Sequence, residues 1–498
     1  MPNPAPLPAT VDHLVIGAGL AGIGAAIKLD EAGERDWVVV EKDADVGGTW
    51  WANSYPGAAC DVPSQLYSFS FAPNPDWSHS FSPQGEILDY LRRVAREHGI
   101  LDRVHLDTAV EEATWDEDAQ RWRVRTSRGE VVARHVICGA GSLSEPKLPD
   151  IDGIETFAGP VFHSARWDHD VDLAGKRVAI IGTGASAIQI IPELRKVVGH
   201  LDVHQRTAPY VIPRLDRRYS RAEKALFRWV PGLRKAYRAG IYWARETYVP
   251  AFTRWHFLTM PSQLQARRNL EKAVSDPELR AKLTPTFDMG CKRVLISSTY
   301  YPALASDNVD VITDRITRVT PAGIVTTAAD GSEVERPLDV LVVATGFHAA
   351  DPPIAERIVG RDGHRLSEVW AKEGMASYKG TATHGFPNFF QIVGANTILG
   401  HSSMVFMIEC QLRYLVEALQ TMRVNRYGAV EVRRDVQDAW NDDLQRRLER
   451  TVWNRGGCSS WYLDGHGRNT VVWPRATYTF RRELEHFDVD AYVVEPTR

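Results

Sequence analysis

Apolar and polar positions fall into blocks from Asp12 onward. Residues 13–16 are a short apolar run and 17–22 a glycine-rich turn. Residues 21–32 carry apolar side chains at helical spacing, and 37–41 are a second apolar run that closes on an acid. Such blocks predict strand, turn, helix and strand in succession. The same plan returns at 176–181, 182–187, 186–197 and 201–205. Two units of this kind predict an α/β fold with two Rossmann-like dinucleotide-binding domains. Two more apolar strands, 136–141 and 339–345, are the places where the chain is expected to cross between them. The expected division is a first domain from residues 1–145 and 340–498, the latter with a C-terminal segment, and a second domain inserted at 146–339.

Residues 210–281 break the pattern. Strand alternation stops, and Arg, Trp and Tyr crowd into stretches such as RWVPGLRKAYRAGIYWARETYVPAFTRWHF. The spacing predicts amphipathic helices interrupted at Pro231 and Pro250. The first reading is a helical insertion with solvated arginines and core aromatics, beside the active site. A membrane-surface element or a lid is the alternative.

Composition narrows the class. A chain of 498 residues is too long for one core. Its 44% hydrophobic and 24% charged content are those of a soluble protein, and a net charge of -4 gives no reason to expect a nucleic-acid partner. No apolar run is long enough to span a bilayer, so membrane contact is not expected. Cys60, Cys138, Cys291, Cys410 and Cys458 are odd in number, widely spread and free of any C-x-x-C pair. They predict a reducing, cytoplasmic setting without disulfides, and they disfavour a dithiol reductase. No metal site is expected, and association is expected to stop at a monomer or weak homo-oligomer. The proline-rich start, MPNPAPLPAT, reads as a loose arm and not a signal peptide.

The two turns carry the first chemistry. Gly17 permits a tight turn, Gly19 lets a pyrophosphate approach the backbone, and Gly22 lets helix and strand pack closely. The helix N-terminus then offers unpaired N–H groups to phosphate. Glu41 ends the next strand, where a carboxylate can hold a ribose diol and would repel a 2′-phosphate; the site suits FAD or NAD. Gly182, Gly184 and Ser186 form the second turn, with Ala187 at its packing position. After its second strand comes Arg206, a cation able to pair with the 2′-phosphate of NADPH.

Two longer motifs follow. Gly47, Gly48, Thr49, Trp50, Tyr55, Pro56, Gly57 and Asp61 fill G-G-x-W-x-x-x-x-[FY]-P-G-x-x-x-D. Phe157, Gly159, His163, Trp167 and Asp168 fill F-x-G-x-x-x-H-x-x-x-W followed by Pro or Asp. On these motifs the chain resembles the type I Baeyer–Villiger monooxygenases, flavoenzymes that insert an oxygen atom next to a ketone carbonyl. Ala344-Thr345-Gly346 resembles their linker motif. Cys458 to Tyr462, Gly467-Arg468-Asn469 and Trp473-Pro474 resemble their C-terminal region.

The resemblance implies FAD on the first turn, NADPH on the second, and ketone and O2 as substrates, with side sulfoxidation. It implies that Gly48, Thr49 and Trp50 run along the flavin. Thr207 and Lys292 would join Arg206 at the 2′-phosphate. The chemistry passes through a flavin C4a-peroxide that must stay deprotonated, and a fixed cation stabilises both it and the oxyanion that follows. The resemblance gives that role to Arg293, with Asp61 as its partner. Arginine suits it because it keeps its charge. His163 is implied to act through domain motion and cofactor position, not as an acid or base. An amine- or sulfide-oxygenating relative is disfavoured by Trp167-Asp168 and Lys292-Arg293. A non-oxygenating FAD redox sensor would not need the second nucleotide site. Which ketone is used does not follow from the sequence.

Overall fold

In the computed structural model, which describes residues 6–498, β1 (Thr10–Ile16) runs into the first glycine turn. It starts before the apolar run because its polar first residues still pair with the later strand β6, with Thr10 opposite Val132. α1 (Leu20–Glu31) follows, with its apolar side buried, and then β2 (Trp37–Val40), parallel to β1. α2 (Thr49–Ala52) is one turn inside the glycine–tryptophan loop, and α3 (Gln84–Glu97) packs into the same core as α1. β3 (Val104–His105) extends the sheet beyond β2. β4 (Val110–Asp116), β5 (Arg121–Thr126) and β6 (Gly129–Cys138) form an antiparallel meander, and β6 pairs in parallel with β1. Part of the proline-rich start, residues 1–5, lies outside the described residues.

The chain then builds a second sheet. β7 (Val161–His163), β8 (Arg177–Ile181), α4 (Ala187–Leu194) and β9 (His200–His204) come first. α4 is shorter than the apolar spacing suggested, since residues 195–199 turn back towards β9. β10 (Val211–Ile212) and β11 (Leu295–Ile296) pair at the base of the insertion. Between them lie α5 (Arg221–Trp229), α6 (Leu233–Glu246), α7 (Val249–Thr253), α8 (Met260–Ala273) and α9 (Pro277–Lys282). Pro231 separates α5 from α6, and Pro250 opens α7, where its missing N–H costs nothing. β12 (Val309–Ile312) follows, then the meander β13 (Arg315–Thr320), β14 (Gly323–Thr327) and β15 (Glu333–Pro337), then β16 (Val340–Val343). The second sheet runs β12–β9–β8–β16–β7, all parallel.

After β16 the chain returns. β17 (Ile358–Val359) joins β4 and β18 (Phe389–Gln391) joins β6, so the first sheet takes strands from both sides of the second. The two crossing segments lie side by side: the Lys147 amide donates to Gly346 O at 2.9 Å, and the Thr345 hydroxyl donates to Lys147 O. The long helix Met404–Asn425 then packs on α1, with Leu412 over Gly24.

Candidate functional site

The first turn is held by backbone contacts that no side chain could replace. A Cβ on Gly22 would lie 1.7 Å from Gly17 O. Gly19 and Gly48 face each other: a Cβ on Gly48, whose φ is +53°, would lie 2.9 Å from the Gly19 Cα. The two glycine loops thus come together as bare backbone beside the start of α1, a helix with no side-chain cap and no acid in its first turn. Glu41 is buried at the end of β2. Its carboxylate accepts from Ala18 N at 2.6 Å and Asp43 N at 3.0 Å. Burial raises its pKa, and the two amides partly offset that. Beside Thr49, the buried Trp50 donates its ring N–H to the Tyr67 hydroxyl at 3.1 Å.

The rest of that loop reaches the second unit. Tyr55 donates to Gln189 Oε1 at 3.0 Å, and Gln189 Nε2 donates to Ala59 O at 2.9 Å. Gln189 lies on α4, whose first residue Ala187 follows Ser186. Here a Cβ on Gly182 would meet Ala344 O at 2.3 Å, whereas Gly184 has open space around it. The Thr183 hydroxyl donates to Thr207 O at 3.2 Å, fixing the residue after the exposed Arg206. Lys292 sits over the Phe287 ring at 5.3 Å. Burial lowers its pKa and the charge of Arg206 lowers it further, so the two cations are neighbours. Neither has an ion-pair partner among the described residues, and a dianion would neutralise both.

Asp61 and Arg293, far apart in sequence, form a bidentate pair. Arg293 Nε donates to Oδ2 at 2.7 Å and Nη2 to Oδ1 at 2.9 Å, while Nη1 donates to Leu399 O at 3.2 Å. Burial alone would raise the Asp61 pKa, but Arg293 outweighs it and holds the carboxyl below its usual range. The charge of Asp61 in turn raises Arg293. Two residues near this pair were given no role from sequence. Arg245, in the last turn of α6, adds positive charge that favours ionised Asp61. The Tyr462 hydroxyl is buried and pushed up to about 12 mainly by that burial. Arg245 is one of ten basic residues between 221 and 268, and nothing in its sequence position marks it.

The segment between the turns is held by packing and backbone contacts. Phe157 is buried against Ile181, Leu341 and Val343. A Cβ on Gly159 would lie 2.2 Å from Asp339 O. Trp167 packs edge-on against Phe162 at 5.0 Å, and the exposed Asp168 accepts from Asp170 N at 3.0 Å. His163 ends β7 opposite Val343, and its ring meets Phe347 edge-on at 5.6 Å, beside the returning chain. Its Nδ1 accepts from Ala165 N at 3.1 Å, and its Nε2 is buried without a partner among the described residues.

One expectation fails outright. Cys291 and Cys458 form a disulfide, with Cα atoms 6.2 Å apart across 167 residues of sequence. Wide spacing hid the pair, because only the fold brings the two loops together; Asp288 N donates to Gly456 O at 2.9 Å next to the bond. The cysteine argument for a reducing compartment loses its basis. Cys60, Cys138 and Cys410 are free and buried.

The family described as "Pyridine nucleotide-disulphide oxidoreductase" matches residues 14–220. A Baeyer-Villiger monooxygenase of Streptomyces coelicolor is 51% identical over 482 residues, covering 96% of this chain and 92% of the relative. One of Pseudomonas aeruginosa is 46% identical over 497 residues, covering 99% and 93%. Among solved structures, cyclohexanone monooxygenase from Rhodococcus sp. Phi1 bound to NADP+ is similar with a TM-score of 0.87 at 28% identity, over 98% of this chain and 100% of that one. OTEMO in complex with FAD and NADP is similar with a TM-score of 0.86 at 27% identity, over 97% and 99%.

Proposed function

Because this chain belongs to the Baeyer–Villiger monooxygenase family, we propose that it converts a ketone, O2, NADPH and a proton into an ester or lactone, NADP+ and water. The observation that carries this reading is the bidentate Asp61–Arg293 pair, a permanent cation fixed on three acceptor atoms where the two glycine-turn units meet. We assign residues 1–145 and 340–498 to the FAD domain and 146–339 to the NADP domain.

The residues present fit both cofactors. The bare backbone of Gly19 and Gly48 and the uncapped start of α1 suit the pyrophosphate of FAD, with Gly17 and Gly22 shaping the turn. Glu41 lies at the strand end that suits a ribose diol. Thr49 and Trp50 would line the flavin side. On the second unit, Gly184 leaves the backbone open for the NADPH pyrophosphate, with Gly182 packed on Ala344 to shape the turn and Ser186 leading into α4. Arg206, Thr207 and Lys292 would take the 2′-phosphate; the mutual repulsion of the two cations is an argument for a dianion between them. Thr345 lies on one crossing segment and His163 at the end of β7 beside it, and both would set how the two units meet. Bound FAD and NADPH supply the hydride and oxygen-activating chemistry.

The chain's own contribution is positional and electrostatic. Asp61 holds the guanidinium plane of Arg293 through two N–H groups, and the Leu399 carbonyl fixes a third. That leaves the charge of Arg293 in one orientation to stabilise an oxyanion on the ketone carbon as oxygen is inserted. Asp61 stays ionised because Arg293 and Arg245 outweigh its burial. The experiment is a product screen of FAD-loaded protein with NADPH across linear, cyclic and aromatic ketones, beside sulfides and amines. Ester or lactone from at least one ketone is expected. Oxygenation of sulfides and amines alone would transfer the protein to heteroatom chemistry.

A further inference from the structure

The helical insertion exposes what a soluble domain normally hides. Trp229 is 75% exposed, Phe257 67%, Met260 58%, Trp243 56% and Trp255 48%, with Leu233 also at the surface. On α6 the outward stripe runs Leu233, Ala236, Gly240, Trp243 at helical spacing, and the opposite side is docked on the body. There Arg238 donates to Gln65 O at 2.9 Å, Tyr242 stacks on Phe406 at 5.1 Å, and Glu246 accepts from Thr477 N at 3.0 Å. The expectation that these aromatics form a core holds for Phe227 and Phe252, which are buried, and fails for the tryptophans. Single exposed apolar side chains need no explanation, but a run of large ones along consecutive elements marks a contact surface.

Charge says what the contact is. Across α5 to α8, residues 221 to 273, the chain has eleven Lys and Arg and three acids, in a protein of net charge -4. Of the three acids, Glu246 is buried, Glu223 is paired with Arg217 and Glu271 with Arg267. Arg221, Lys235, Arg254 and Arg268 are exposed, and Arg254 lies 5.5 Å over the Trp255 ring. A second copy meeting this face through a two-fold axis would set these cations against themselves. An anionic headgroup layer would neutralise them while the indoles settle at the apolar boundary, where tryptophan and arginine both sit well. No helix of the described residues is long and apolar enough to cross a membrane. We propose that α5 to α8 dock this protein on the surface of an anionic lipid bilayer.

Docking is readable with the enzyme idle, by cosedimentation of the full FAD-loaded chain with vesicles and by tryptophan emission. Binding is expected to phosphatidylcholine vesicles carrying about 30% phosphatidylglycerol, with a blue-shifted emission, and not to phosphatidylcholine alone. Salt near 1 M, where the Debye length shrinks to about 3 Å, should release it. Trp229→Ser with Phe257→Ser should cut partitioning at least about tenfold, and Arg221→Glu with Arg254→Glu should do the same through charge alone. Flavin content and melting temperature control for folding of each variant. No binding to the anionic vesicles, equal binding to both compositions, or binding that salt does not release would each overturn the proposal. So would a stable dimer by light scattering that the Trp229→Ser/Phe257→Ser variant dissolves.

Discussion

Arg293 is the most exacting test at the scale of one residue. Arg293→Ala removes the cation that Asp61 holds in place and should lower ester or lactone formation by about 10²–10³. NADPH oxidation should continue with release of hydrogen peroxide, since hydride transfer needs cofactor geometry and not this contact. Parallel assays of product, NADPH and peroxide check the split, and ketone turnover near the unaltered rate would refute the role. Arg206→Ala should raise KM for NADPH while leaving NADH unchanged, at about 1.5–3 kcal/mol per charge-assisted hydrogen bond lost; steady-state kinetics with both coenzymes decide it. His163 gives a pH signature. Burial pushes its pKa down to about 4, from roughly 6.5 in the unfolded chain. The unfolded state therefore binds a proton that the folded state refuses as pH falls from about 6.5 to 4, and stability drops over that window. His163→Gln should flatten that slope in urea titrations, though only in part, because burial pushes His204 down to about 4 as well.

At the scale of elements, the glycines of the two turns should separate by what surrounds them. Gly22→Ala drives a methyl into the Gly17 carbonyl, backbone against backbone, and should prevent folding. Gly48→Ala brings a methyl only to 2.9 Å from the Gly19 Cα, a milder clash, and should yield folded protein depleted of flavin, measured by the ratio of flavin to protein absorbance. Gly184→Ala meets nothing in the protein, so melting should be unchanged and only the KM for NADPH should rise. The strand–turn–helix units were legible from sequence because their signals are local: apolar runs, glycines and an acid at fixed offsets. The ends were not. β1 begins at Thr10 because a neighbouring strand supplies its partners, which no local pattern records. Gln189, which joins the tryptophan loop to α4, and Arg245 look like ordinary helical polar residues until tertiary packing gives them something to touch.

For the molecule as a whole, the Asp61–Arg293 pair and Leu399 come from three distant parts of the chain, and Cys291–Cys458 ties the loop before Lys292 to the C-terminal segment. Cys458→Ser should cost roughly 2–4 kcal/mol of unfolding free energy if the bond acts on the unfolded chain. Denaturant titrations with and without a thiol reductant test this, since reductant should bring the unaltered protein down to the variant. Insertion of one sheet within the other also dictates an order in time. A chain made from its N-terminus completes every strand of the second sheet once Val343 has emerged, while the first sheet still lacks β17 and β18. The inserted unit can close while its host stands open, with β4 and β6 short of neighbours until residue 391 is made. Unpaired strand edges invite pairing with other chains. The growing polypeptide is thus most exposed to its neighbours on the polysome during the synthesis of residues 344–391, a stretch that holds neither glycine turn.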